Sequence, residues 1–410
     1  MTHVSSPPPQ GRPPLHTVQV LGGGSAGSSA HVRSLAAGLV ARGVRVTVCA
    51  PAELDGMYDF GGAGAEFVPV PRRSDPASVV ALRGACADAD LVHAHGLHAA
   101  LRSSLALRGR RPALLPGRTP LVVTWHTRAH AEGARARVQR LLERRVARSS
   151  AVLLGTSSDL VDRARGSGAR DARLAPVAFP APRRPAFDGP DERDERDEPD
   201  ETGETGVTGE TGETGEAGTA HHKARAELGA VDRPLLLAVG SLDRYRGYET
   251  LLDAARTWRG LDPVPLVVIA GEGPERGPLR RRIDAEGLPV RLIGRRDDVP
   301  ELLAAADVAL LPSRWESRSL LAHEALHAGV PLVATAVGGL PELVGDAAEL
   351  VPYGDAPALA EAVARLLADP SRRARLRANG RVQAASWPTE DDTVAQILSV
   401  YDELAQPFRR

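Results

Sequence analysis

Short β-branched runs alternate with helical stretches along most of this chain, and that alternation restricts the fold more than any other feature of the sequence. Residues 17–21 (TVQVL) lead into the glycine-rich GGGSAGS and then into HVRSLAAGLVARG, where Val32, Leu35, Leu39 and Val40 recur at helical spacing. A second strand, Val44 to Cys49, follows Gly43, and apolar runs recur at 90–94, 121–125 and 151–154 between helical stretches. Strands joined by helices in this way pair in parallel.

The rhythm stops at 188–219, where thirteen acids stand against two arginines and Val207 is the one large apolar residue. Such a window cannot bury a core and is expected to be disordered, as a solvated insertion between domains. The rhythm resumes with apolar runs at 235–240, 265–271, 290–294, 307–313 and 331–339, which read as buried parallel strands. A chain of 410 residues exceeds the size at which a single core stops growing. The expectation is therefore α/β, with two Rossmann-like doubly wound domains at 15–187 and 223–388. Residues 1–14 read as a disordered tail, 188–222 as an acidic linker insertion, and 389–410 as a C-terminal helix. That helix carries Val394, Ile397, Leu398, Tyr401 and Leu404 on one side and needs a partner surface, which the N-terminal domain could supply.

The formal net charge of -1 and the apolar fraction of 42% point to neither nucleic acid nor a membrane span. Cys49 and Cys86 are the only cysteines, and no Cys/His spacing along the chain closes a zinc site, so neither a disulfide framework nor a structural metal is expected. A reducing cytoplasm fits. The opening PPPQGRPP lacks the apolar segment of a signal peptide. Lys223 is the one lysine among 51 basic residues, so arginine-rich stretches must be discounted for composition before they are read as functional.

Two constellations could carry chemistry. The loop Gly22 to Ser28 lets the backbone approach a ligand closely, and the helix after it directs free N–H groups at an anion. Gly22, Gly24 and Gly27 also satisfy G-x-G-x-x-G, but the second strand ends Val48, Cys49, Ala50, Pro51 with no acid to hold a ribose, which argues against a nicotinamide enzyme. The segment 315–329, WESRSLLAHEALHAG, places Glu316 in the turn after a strand and Glu324 eight positions later on the next helix. A carboxylate at a strand's carboxyl end faces the crevice where open α/β sheets bind ligands. The amides of Ser319, Leu320 and Leu321 could hold a diphosphate there, and Glu324 could accept from ribose hydroxyls. Two ordinary helix-surface acids would show the same spacing.

At these residues the chain resembles the family-4 glycosyltransferases of the GT-B fold, which are retaining enzymes. The carboxyl half carries the successive blocks VGSLDRYRGYETLLDA, VIAGEGPERGPL, RLIGRRDDVPELLAAADVALLPSRWES and HEALHAGVPLVATAVGGLPELV. The amino half has GGGSAGSSAHVRSLAAGL, DLVHAHG and VVTWHT in the matching places. The resemblance implies two Rossmann-like domains with a nucleotide diphosphate sugar bound in the interdomain cleft. It makes His126 and Glu316 the catalytic pair at the transferred sugar and Glu324 the ribose ligand. Gly23, Gly24, Arg246, Arg295, Ser319 and Leu320 complete the donor contacts. The sugar donor is the co-substrate, no cofactor or metal is required, and the acceptor is a small molecule, a glycan or a lipid-linked group.

The sequence departs from the family pattern at two places. Ser241 stands where the second basic phosphate ligand is expected, and Ser317, Arg318 and Ser319 replace the glycines after the first glutamate. Arg244 or Arg318 would have to supply the missing charge. A catalytically silent nucleotide-sugar binder and a GT-B sugar-nucleotide epimerase are the alternatives. Between Arg102 and Arg148 twelve arginines face only Glu132 and Glu143. Arg137, Arg140, Arg144 and Arg148 could share a helix face with Val138, Leu141 and Leu142, which would suit peripheral contact with anionic lipid at the inner membrane face. An arginine-rich composition on a solvated helix would look the same.

Overall fold

The computed structural model describes residues 14–22, 26–72, 76–108, 119–128, 133–175, 177–178 and 222–405. Gly23, Gly24, the first thirteen residues and the acidic window 188–219 lie outside the described residues. The chain forms two compact units, Met1–Pro180 with Trp387–Arg410, and Ala181–Ser386.

The first unit runs β1 (His16–Leu21), α1 (Ala26–Ala41), β2 (Arg45–Ala50), α2 (Ala52–Tyr58), β3 (Glu66–Pro69), α3 (Pro76–Ala85) and β4 (Leu91–His95). It continues through α4 (Leu97–Ala106), β5 (Leu121–Trp125), α5 (Gly133–Ser149), β6 (Val152–Gly155), α6 (Ser158–Gly166) and β7 (Ala172–Leu174). Its strands pair in parallel in the order β3-β2-β1-β4-β5-β6-β7. The strand order reverses between β1 and β4, so the carboxyl ends of those strands open the crevice that doubly wound sheets use for ligands. The sequence reading missed β3 and β7. Both are edge strands with half-buried or exposed side chains, which leaves them without the apolar run that marks a central strand.

The second unit holds α7 (222–228), β8 (Leu235–Val239), α8 (Tyr248–Thr257), β9 (Leu266–Ala270), α9 (Arg276–Glu286), β10 (Val290–Gly294) and α10 (Val299–Ala305). After these come β11 (Val308–Leu311), α11 (Leu320–His327), β12 (Leu332–Thr335), α12 (Leu340–Val344), β13 (Ala348–Val351), α13 (Ala356–Ala368) and α14 (Pro370–Ala385). Its parallel sheet has the order β10-β9-β8-β11-β12-β13, with the reversal between β8 and β11. The run expected as a strand over 331–339 ends at Thr335, because the chain turns at Gly338 with φ +55°. The edge strand β13 was also unforeseen.

The last helix, α15 (Glu390–Ala405), packs into the first unit. Val394, Ile397, Val400 and Tyr401 are buried in the same core as Val32, Leu35 and Leu39 of α1. Burying each such side chain stabilises the fold by roughly 1.5–3 kcal/mol. Close approach depends on Gly38, where a Cβ would stand 2.5 Å from Val394 Cγ2. Polar contacts fix the register: Arg173 forks onto Glu403 at 2.7 and 3.0 Å, and Thr393 Oγ1 accepts from the Ala178 amide at 3.2 Å. Cys49 and Cys86 are buried free thiols.

Candidate functional sites at the carboxyl ends of the two sheets

In the second unit the site forms where the strand order reverses. Arg246 lies in a short 3-10 turn after β8, and Glu316 in the turn after β11. Their side chains form an ion pair, and the Ser313 hydroxyl donates to the same Glu316 oxygen at 2.9 Å. Arg246 Nε also reaches the Ser241 hydroxyl at 3.4 Å, and its guanidinium stands 5.5 Å from the centroid of the Tyr245 ring. Burial pushes the Glu316 carboxyl up, against the pull of Arg246 and Ser313. Burial is the largest influence on Arg246 and works against its charge, but Glu316, Tyr245, Tyr248 and Asp243 together outweigh it and the guanidinium is held above its ordinary value.

Two glycines hold these backbones in place. Gly247 has φ +73° and a Cβ there would fall 1.9 Å from the Pro312 carbonyl oxygen, so the turn bearing Arg246 lies directly against the end of β11. Gly338, with φ +55°, would put a Cβ 2.0 Å from the Glu316 carbonyl oxygen. A side chain at either position would be strained by both conformation and space. Arg314 N–H donates to the Tyr245 carbonyl at 2.7 Å, Gly339 N–H to the Glu316 carbonyl at 2.9 Å, and Thr335 Oγ1 to the Ser313 carbonyl at 2.6 Å.

Ser319 is the N-cap of α11, its hydroxyl accepting from the Ala322 amide at 3.4 Å. The first N–H groups of the helix, beginning at Leu320, have no acceptor within it. Glu324 is half-buried on α11, and burial pushes its carboxyl up to about 7. The candidates for the missing cation separate clearly. Arg244 is 90% exposed and pairs with Glu275 at 3.0 Å. Arg318 is half-buried, with no hydrogen-bond partner for Nε or Nη2 among the described residues. Burial lowers its pKa to about 10, with Glu342 pulling the other way, so it stays charged at pH 7. Arg295, in the loop after β10, is exposed and lies 3.6 Å from Asp297. A depression of about 800 Å³ in the second unit is lined by Leu228, Ile283, Arg291 and Glu301, and none of the residues named above lines it. The chemistry follows the charges and not the volume.

In the first unit His126 directly follows β5 and is joined by residues the sequence reading did not single out. His93 and His95 lie two apart on β4, so both rings leave the same face of the strand. Gln19 on β1 donates through Nε2 to Tyr401 Oη at 2.8 Å and to Thr17 Oγ1 at 3.0 Å. Tyr401 Oη then donates to His93 Nδ1 at 2.7 Å, and His93 Nε2 donates to Thr124 Oγ1 at 2.7 Å. Gln19 Oε1 accepts from His95 Nε2 at 3.0 Å, which leaves His95 Nδ1 to accept from His126 Nε2 at 3.1 Å. The ring tautomers follow from this network. The His31 ring, from α1, lies 5.8 Å from that of His95 and 5.4 Å from that of His126. Burial holds all four imidazoles low, His93 at about 3 and His126 at about 4. They are neutral at pH 7.

The sequence signals for this cluster were the polar Gln19 inside a buried strand and the alternating histidines of DLVHAHG. Spacing along the chain cannot see residues that a parallel sheet brings side by side, so the grouping itself went unread. Asp88 and Asp90, just before β4, are engaged locally, Asp88 with Arg45 at 2.5 Å and Asp90 with the His16 amide at 2.8 Å.

On α5, Arg137, Arg140, Arg144 and Arg148 are exposed together with Val138 and Leu141, while Leu142 is half-buried. The opposite side buries Glu143, which accepts from Arg163 and Gln139 at 2.8 Å each. Among the described residues no helix is long and apolar enough to cross a membrane.

Residues 26–180 match the family model described as "Glycosyl transferase 4-like domain", and residues 221–383 the one described as "Glycosyl transferases group 1". An alpha-D-kanosaminyltransferase of Streptomyces kanamyceticus is 34% identical over 192 residues, 44% of this chain and 49% of that protein. A D-inositol 3-phosphate glycosyltransferase of Salinispora arenicola is 35% identical over 203 residues, 45% of each. The chain thus spans about half the length of the curated relatives it matches. The solved structure of Anabaena HepE in complex with UDP-glucose aligns with a TM-score of 0.72 at 18% identity, covering 94% of this chain and 100% of that one. At that identity the likeness concerns the fold.

Proposed function

The chain belongs to the family-4 type of glycosyltransferases with the GT-B fold, and from that premise we propose that it transfers a hexose from a nucleotide diphosphate sugar with retention of anomeric configuration. The observation that carries this reading is the Arg246–Glu316 pair at the carboxyl ends of β8 and β11. Departure of a nucleoside diphosphate builds negative charge on the leaving oxygens and positive charge on the sugar. A preorganised guanidinium and carboxylate match those two charges. In this proposal Arg246 and Arg318 hold the diphosphate together with the first amides of α11. Glu316 stabilises the sugar, Glu324 accepts from the ribose, and Arg295 lies against the base. His126 contacts the transferred sugar through a neutral ring. Arginines take the place of a divalent metal at the diphosphate.

Arg318 supports anion binding in the second unit. A half-buried cation whose Nε and Nη2 lack hydrogen-bond partners among the described residues is costly to hold unless a ligand satisfies it, and it is the residue offered in place of the basic one absent at Ser241. The test is release of nucleoside diphosphate from a donor panel in the presence of cell-extracted acceptors. Acceptor-dependent release supports transfer. Tight donor binding with no release under any condition overturns it in favour of a silent binder, and sugar interconversion without acceptor overturns it in favour of an epimerase.

We propose further that the arginine face of α5, with the exposed Val138 and Leu141 beside it, touches anionic lipid. Co-sedimentation with phosphatidylglycerol vesicles, lost at high salt and in Leu141→Ser, is the expected result. Equal binding to neutral vesicles contradicts it.

A further inference from the structure

The histidine cluster of the first unit has the composition of a metal site, and of its members only His126 has a part in the proposed transfer reaction. His31, His95 and His126 each offer a ring nitrogen, and those three atoms lie within 4.8 Å of one another. The His95 Nδ1 to His126 Nε2 separation is 3.1 Å. Two nitrogens at about 2.0–2.1 Å on a tetrahedral zinc ion stand about 3.3–3.4 Å apart, so this edge is nearly formed and only His31 must close in. The three rings come from α1, from the end of β4 and from the residue after β5, all rooted in the buried core of one unit.

We propose that His31, His95 and His126 bind a divalent transition ion of the zinc class through one ring nitrogen each, leaving a fourth position open. The polar residue behind His95 supports this. Histidine ligands commonly donate their second ring N–H to a carbonyl or carboxylate, which fixes the tautomer and aims the other nitrogen at the ion. Gln19 Oε1 does this for His95, taking Nε2–H at 3.0 Å, and the Gln19 amide is itself held by Thr17 and Tyr401. The His95 lone pair at Nδ1 is thereby directed at His126. Neutral rings need shed no net proton to coordinate. At His126 the ring proton moves from Nε2 to Nδ1 as the metal takes Nε2, and charge is conserved without a co-reactant.

The ion would act as an inhibitor and not as a cofactor, since it engages the nitrogens of a residue assigned to the transferred sugar. That consequence rests on the transferase reading, whereas binding itself does not. If donor turnover is never found but zinc binds, only the transferase reading fails. If turnover is found and zinc does not bind, only this proposal fails.

The experiment measures zinc retained by the full chain in competition with a chromogenic chelator. The expected result is one tightly held ion per chain, with affinity weakened at least tenfold in His31→Gln and in His95→Gln. Gln19→Leu should weaken it about 10–100-fold through loss of the supporting acceptor. His327→Gln serves as the control, because His323 and His327 form a separate pair with ring centroids 4.4 Å apart. Undiminished binding in His31→Gln, or loss in His327→Gln, overturns the proposal. Cobalt(II) added to the unaltered chain tests the site without depending on any variant that must fold. The intense visible bands of a four-coordinate ion support the site, and the pale spectrum of a six-coordinate ion overturns it.

Discussion

Gln19 and Tyr401, 382 positions apart, meet through a buried hydrogen bond of 2.8 Å that links the first strand of the chain to its last helix. Donation runs in one direction, from His126 through His95 to Gln19 and on to Tyr401, so a helix remote in sequence sets which nitrogen of His126 carries the proton.

Tyr401→Phe removes the hydroxyl that Gln19 donates to and that donates to His93 Nδ1, while leaving the ring packed. Stranding a buried acceptor costs about 1–3 kcal/mol, so denaturant unfolding of the first unit should show a loss of that order. If His126 acts at the sugar, turnover should also fall while the donor KM stays near that of the unaltered chain. A stability change below a few tenths of a kcal/mol contradicts the network.

Glu316→Gln removes the charge opposite Arg246 but keeps the shape of the side chain. Turnover is expected to fall by about 10²–10³, with donor affinity nearly retained. Arg318→Ala should instead raise the donor dissociation constant. Isothermal titration with the nucleoside diphosphate alone separates the two, and an affinity unaltered by Arg318→Ala argues against its phosphate role.

Glu324 supplies a pH signature. Its folded pKa of about 7 lies above the ordinary 4.5, so the folded state holds a proton that the unfolded state has released between those values. Its favourable contribution to stability is complete below pH 4.5 and is lost as pH rises through 7. Glu324→Gln abolishes that dependence, visible as a converging melting temperature of the two proteins at low pH. If ribose hydroxyls bind the carboxylate, nucleoside diphosphate should bind up to about tenfold more tightly at pH 8 than at pH 6. The glutamine variant should show no such difference.

The histidine cluster gives the opposite slope. His93 is depressed from 6.5 to about 3, so its contribution is present above pH 6.5 and is lost as pH falls towards 3. A fully buried ring of this kind contributes about 1.4 kcal/mol per pH unit across that window. Thermal melts of the first unit should steepen with acid accordingly, and His93→Gln should flatten them. An unchanged slope would remove the histidines as the origin of acid lability.

The central strands were legible in the sequence because each is a run of apolar residues, and Glu316 stood out because it follows one; Arg246 came from the resemblance, and its pairing with Glu316 was not foreseen. The edge strands β3, β7 and β13 carry no such run, since one side of each has no neighbour to pack against. Likewise Arg318 and Arg244 look alike as letters. Only the structure shows that the first has Nε and Nη2 without hydrogen-bond partners among the described residues, while the second is held by Glu275 in solvent. The His31, His95 and His126 grouping is a product of strand order, β1 beside β4 beside β5, and no spacing along one chain encodes it. The described residues leave the glycines at 23 and 24 aside, so the phosphate role expected of that loop stays with the resemblance.

The docking of α15 has a temporal consequence. A ribosome releases β1 to β7 about two hundred residues before α15, which at 5–20 residues per second is about 10–40 s of synthesis. Through that interval the nascent first unit must keep Gln19 and His93 without Tyr401, and the groove over α1 without Val394 and Ile397. The second unit, continuous in sequence, can finish its own core meanwhile. The part of the chain made first is therefore the part completed last, and a chaperone that shields an unfinished apolar groove would find its client there.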